Sequence, residues 1–328
     1  MGQHRVSRAE LESLLASVTA QTTDPRAGIF GPASMTWKVN REAALFLGAG
    51  RAALLQLAHP WVATALKQHS SLLGDPIARF HNTFRIVFTM VFGSLDQALA
   101  AARHLHTLHS GIRGEMPATV GGWPGGTHYE ANEVAALRWV YATLVDSAVL
   151  AYGSLYPFST GERAQYYNES KTMAGLFGLP LSALPEDWSG FQRYMAEMCA
   201  SDALGVGAPA RTMAQSILRG AGSWIRIPRW YRALTAEWLG PRFREEFELC
   251  WSQKEQTAAA RALAWLPRVF PALPATVRLV GPWHEAEARL GRHPPGMVTI
   301  IGNRFWIGQT LLPFSNLSSV KRSSNSLQ

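Results

Sequence analysis

The sequence predicts an all-α fold, a single multi-helix domain, and three observations predict it. Apolar residues recur at helical spacing from one end of the chain to the other. Only one short run, 297–302 (MVTIIG), reads as a strand. The breaks between periodic segments are brief and rich in glycine and proline, as in helical domains with short connections. With 328 residues, 47% of them hydrophobic and 16% charged, the chain is long and apolar enough to bury a large core.

Each element follows from local signals. Ser7 caps a first helix over 7–20, and the Thr-Asp-Pro-Arg-Ala-Gly run at 23–28 ends it. A long helix capped by Ser34 or Asn40 is expected to reach Ala58. It stops at His59-Pro60, because proline drives its predecessor out of the α region. Pro60 opens a helix over 60–73, and Pro76 opens another over 76–92. Ser94-Leu95-Asp96-Gln97 is a capping box for a helix ending near His109. Residues 114–128 are irregular and read as a loop. Long apolar helices are expected from Asn132 to Tyr156 and from Ser159 to Gly178. Further helices are expected at 186–203, 208–220, 228–239, 241–266 and 282–290. This divides the chain into an N-terminal helix and linker (1–34), a helical domain (35–296) and an irregular tail (297–328).

Charge and cysteine usage exclude several classes. The net charge is +8, but it is scattered arginine with only five lysines and no dense basic run, which argues against nucleic acid as a partner. An anionic membrane surface or an anionic cofactor group fits the same charge. Two distant cysteines, Cys199 and Cys250, exclude a disulfide scaffold, a cysteine-ligated metal and thioether-linked haem. The N-terminal residues lack an apolar signal segment. The most apolar windows, 43–66 and 135–157, contain Arg51 and Arg138 with Asp146, respectively, and so read as buried core helices. The expectation is a cytoplasmic protein, soluble or peripheral at a membrane.

The chemistry concentrates between Gly48 and Gly114, which holds six of the ten histidines. Gly48-Ala49-Gly50-Arg51 has no preceding strand and no third glycine, so it is not a dinucleotide loop. No phosphate-binding loop, HExxH zinc motif, paired Glu-x-x-His or Gly-x-Ser-x-Gly elbow occurs. His106 and His109 share a helix face, as do His81 with Arg85 and Arg79 with Thr83. A histidine near a helix C-terminus can equally be there for the dipole. His59, flanked by Leu57 and Trp61, is either a core residue or a pocket wall.

The segments at 48–70, 75–94, 104–114 and 129–147, with Tyr-Tyr-Asn-Glu at 166–169 and the later Pro185 to Tyr194 region, occur in a distinctive order. In that order the chain resembles the bacterial and fungal family of latex-clearing rubber oxygenases and MpaB-type oxygenases. The resemblance implies a globin-related helical core holding a b-type haem, with dioxygen as co-substrate and oxidative cleavage of isoprenoid double bonds as the activity. It implies His109, in His109-Ser110-Gly111-Ile112-Arg113-Gly114, as the iron ligand. It places Arg79 and Thr83 beside the haem, with His81 or His59 tuning the same face. Asn82 stands where latex-clearing members have a distal lysine, and Tyr141 where many relatives have histidine. These two departures motivate the alternatives, a non-catalytic haem-binding or sensing protein and a haem-free helical scaffold at a membrane surface.

Overall fold

The first seven helices build the frame that carries the histidine-rich stretch. The computed structural model describes residues 4–69, 76–220 and 226–314, without the side chains of Pro76, Ile77 and Arg79. Helix α1 (Arg8–Gln21) starts at the expected Ser7 capping box. The helix expected to run unbroken to Ala58 is instead two, α2 (Met35–Asn40) and α3 (Leu45–Leu57). The break is held from outside. The Ala43 amide donates to the Arg278 carbonyl, and the buried Glu42 carboxylate takes the Tyr156 hydroxyl at 2.8 Å and Arg278 at 3.3 Å. Helix α4 (Pro60–His69) begins at Pro60, and its predicted remainder lies outside the described residues. Helices α5 (Pro76–Phe92) and α6 (Leu95–Ser110) follow, with the Ser94–Gln97 capping box in place.

The predicted loop at 114–128 is bounded by a short antiparallel hairpin, β1 (Arg113–Glu115) and β2 (His128–Glu130). Helix α7 (Val134–Gly153) is long and apolar enough to cross a bilayer, yet it lies along α3 as a core helix. Trp139 and Tyr141 are buried on it, and the Trp139 indole donates to the Leu55 carbonyl at 2.9 Å.

Helices α8 (Thr160–Leu176), α9 (Trp188–Ala200) and α10 (Ala208–Arg219) continue the series. Helix α11 (Arg229–Glu246) kinks at Gly240, where φ is 78° and Pro241 follows. The predicted helix 241–266 is interrupted again. Glu248 takes a left-handed φ of 55°, and Ser252 with Glu255 then caps α12 (Gln253–Val269). Short α13 (Ala275–Arg278) leads to α14 (Gly281–Leu290) and α15 (Met297–Ile307).

Helix α15 corrects the strand expected at 297–302. Strand propensity in Val-Thr-Ile-Ile is overridden by tertiary contacts that require a helix. A Cβ on Gly281 would stand 2.4 Å from the Asn303 amide nitrogen, so the two backbones meet at a glycine. The Asn303 side chain donates to the buried Glu285 carboxylate at 2.6 Å.

The α3–α7–α11 junction shows why Gly48-Ala49-Gly50-Arg51 reads as it does. A Cβ at Gly48 would lie 2.6 Å from the Ser147 carbonyl oxygen, and one at Gly50 would lie 2.7 Å from Thr235 Oγ1. These glycines let three helices approach, and Arg51 then locks them. It bonds Asp146 at 2.6 Å, Ser147 Oγ at 2.9 Å and the Trp238 carbonyl at 2.9 Å. Gly48→Ala is expected to lower unfolding free energy by about 2 kcal/mol despite alanine's better helix propensity, because the neighbour it meets is backbone. Denaturant unfolding checks this, and a wild-type midpoint would contradict the packing argument.

Candidate functional site

Helix α6 buries Leu95, Ala98, Ala101, Ala102 and His106 on one face, and this phase decides what its histidines do. His106 points inward, where Nε2 bonds the Val6 carbonyl at 3.0 Å. Its own carbonyl accepts from Ser110 Oγ at 2.8 Å and Asn132 Nδ2 at 3.1 Å, which ties the end of α6 to the start of α7. His106 is thus a structural residue. His109, one turn on, is half-buried in the last turn, and its carbonyl takes the Ile112 amide as the chain turns into the hairpin.

The hairpin packs against α4. Tyr129 donates its hydroxyl to Gln68 Oε1 at 2.6 Å, and His69 Nε2 bonds the Arg113 carbonyl at 3.1 Å. Beneath them lies a small apolar cluster of Trp61, Met116, Tyr129 and Ala136, with Ile112, Val120 and Trp123 at its edge. His59 adjoins it, buried, with its ring 5.9 Å from Trp61 and 5.7 Å from Trp123. Two buried nitrogens here have no hydrogen-bond partner, His59 Nδ1 and Trp61 Nε1. Burial pushes the His59 imidazole down to about 4, so it is neutral at physiological pH.

Helix α5 carries the other predicted residues. Thr83 and Asn82 are exposed, whereas the Arg79 side chain lies outside the described residues. His81 Nε2 bonds the Phe305 carbonyl of α15 at 3.0 Å. Arg85 reaches the Ile307 carbonyl through Nε at 3.1 Å and Nη2 at 3.0 Å, and Asn82 Oδ1 through Nη1 at 3.1 Å. Asn82 is therefore engaged as an amide acceptor for a neighbouring guanidinium. A lysine there would set a second cation beside Arg85.

Tyr141 is likewise committed. Its hydroxyl shares a 2.6 Å hydrogen bond with Ser170 Oγ, and burial raises its pKa far above the ordinary tyrosine value. The Tyr-Tyr-Asn-Glu segment also has structural work. Glu169 accepts the Met35 and Thr36 amides at 3.1 and 2.7 Å, capping α2, while the Tyr167 hydroxyl donates to the Pro185 carbonyl at 2.7 Å. The Arg51–Asp146 pair went unrecognised as a pair in the sequence. The available signal was Arg51 in one of the two most apolar windows and Asp146, beside Arg138, in the other.

Among the described residues no three His, Cys, Asp or Glu side chains cluster as a metal site. What these residues build is an all-helical domain whose described histidines stand singly rather than in a ligand cluster. Residues 37–269 match the catalytic domain described as ER-bound oxygenase mpaB/B'/rubber oxygenase, and the chain belongs to that family. The match runs from α2 through α12 and leaves α13 to α15 outside it. Searches of curated proteins and of solved structures return no match.

The depressed His59 value carries a pH prediction. Below 6.5 the unfolded chain takes up a proton that the folded chain refuses until about pH 4. The contribution is present above 6.5 and is lost as pH falls through that window, by roughly 3 kcal/mol. Unfolding free energies of the wild type and His59→Phe, compared at pH 7 and pH 4, are expected to shift by that amount in the variant's favour. A pH-independent difference would contradict it.

Proposed function

We propose that the protein is a haem b-dependent oxygenase that uses dioxygen to cleave a carbon–carbon double bond in an apolar, isoprenoid-type substrate. Membership of the oxygenase family over residues 37–269 is the observation that carries this reading. The donor set fits the group. A porphyrin supplies four nitrogens itself, so one neutral imidazole suffices, and a cluster of three ligands is not required. Haem b, when bound, supplies the dioxygen chemistry that no side chain can.

In this reading His109, at the end of α6, would hold the iron. Arg79 would supply a cation for the anionic haem, and Thr83, one turn along α5, would supply a hydrogen-bond donor. His81, bonded to α15, acts by holding α5 in position. His59 is a neutral wall whose unpartnered nitrogen can orient a polar group without adding charge. An adjacent face of α5 is aromatic and suits an apolar substrate: Phe80 and Phe84 lie 4.6 Å apart, and Phe46 packs 4.6 Å from Phe84.

A second reading, a non-catalytic haem-binding or sensing protein, draws on Asn82 and Tyr141. Both are engaged with Arg85 and Ser170, respectively, where relatives carry lysine and histidine. Polyisoprenoid turnover under oxygen separates the two readings.

The visible spectrum of purified, haem-supplemented protein tests the core of the proposal. A Soret band is expected in the wild type, and His109→Ala is expected to lose or shift it while keeping wild-type helical circular dichroism. An unchanged band in His109→Ala would remove His109 as the ligand.

A further inference from the structure

Helix α15 leaves an apolar stripe uncovered although its other face is already packed. That inward face buries Thr299, Asn303 and Ile307, and Gly302 meets Gly281 of α14 with a would-be Cβ only 3.0 Å from the Gly281 Cα. Its outward face is apolar. Met297 is 72% exposed, Ile301 62%, Phe305 56% and Val298 43%. At 100° per residue these four fall within one stripe roughly a quarter of the circumference wide. This orientation is fixed by the fold. The Phe305 and Ile307 carbonyls are held by His81 and Arg85 of α5, and Asn303 donates both to Glu285 and to the Thr310 carbonyl. Rotating the helix to hide the stripe would break all of these and bury an unpaired amide.

The charge around the stripe selects what covers it. After Glu287 the sequence contains no Asp or Glu, but it contains Arg289, Arg292, Arg304, Lys321 and Arg322. Arg304 is exposed at the edge of the stripe, and Arg292 is exposed just before the helix. Arg289 is occupied internally, donating to the Arg26 and Phe92 carbonyls. A second copy seated on this face by two-fold symmetry would bring the exposed Arg292 and Arg304 of both copies together. An anionic lipid surface instead offers both an apolar interior for the stripe and negative headgroups for its rim.

The geometry points to α15 as a monotopic anchor, lying in the plane of an anionic membrane with Met297, Val298, Ile301 and Phe305 in the acyl boundary and Arg292 and Arg304 at the headgroups. The segment lies outside residues 37–269, the part of the chain that matches the family.

Flotation of the full chain with vesicles tests this without haem, so its failure would leave the proposed chemistry standing. The wild type is expected to float with phosphatidylcholine–phosphatidylserine vesicles, and much less with phosphatidylcholine alone or in high salt. Ile301→Glu/Phe305→Glu is expected to weaken partitioning about tenfold or more. Arg304→Glu is expected to weaken it about fivefold. Leu181→Glu, a change at a 66% exposed apolar residue outside the stripe, is expected to leave it unchanged. The proposal is overturned by a wild type that does not float with anionic vesicles, or by a double variant that floats as well as wild type. It is also overturned by a wild-type dimer that the double variant splits while vesicle binding is absent.

Discussion

The guanidinium of Arg51 is the constraint on which the rest of the helical frame depends. It sits largely buried where α3, α7 and α11 meet, and it spends three of its donors on Asp146, Ser147 and the Trp238 carbonyl. Leaving either charge of such a pair alone is expensive, so the three helices are held in one arrangement. Gly48 and Gly50 make that arrangement reachable, and the Tyr231 hydroxyl closes it by accepting the Gly50 amide and donating to the Phe46 carbonyl. From this junction α3 runs out to His59, and the start of α7 returns to clamp the end of α6. The frame thus determines where the imidazoles stand.

Those imidazoles are not equivalent. His106 anchors the N-terminal segment, His69 fastens the hairpin and His81 fastens α15, each through a backbone carbonyl. His59 is buried beside Trp61 and Trp123 with Nδ1 unpartnered, and burial keeps its imidazole neutral. Membership of the mpaB/rubber oxygenase family makes the chain oxygenase-like, and the proposed haem would ask for one such imidazole.

Much of the fold was legible because helix punctuation is local. Ser7, Ser94 and Ser159 cap where their sequences say they should, each with its Glu or Gln partner. Failures came where distant contacts decide. The break between α2 and α3 is held by Arg278 and Tyr156, far along the chain, and no local residue announces it. Helix α15 was misread because β-branched residues outweighed a glycine contact that only the tertiary structure reveals. At the candidate site, which histidines are buried and which are partly exposed was only half legible. Helix phase joined His106 to His109, whereas the burial of one and the partial exposure of the other depend on where Val6 and Asn132 pack.

Helix α5 joins the candidate residues to the chain's C-terminal helices. Along it Arg79 and Thr83 alternate with His81 and Arg85, which tie it to α15. The central claim is that one histidine, His109, holds a haem iron in this helical frame. Resonance Raman spectroscopy of the haem-loaded ferrous protein addresses it most directly. An iron–imidazole stretching band that shifts with nitrogen-15 histidine labelling and disappears in His109→Gly is the predicted result. A band insensitive to the label, or one that survives in His109→Gly, would contradict it.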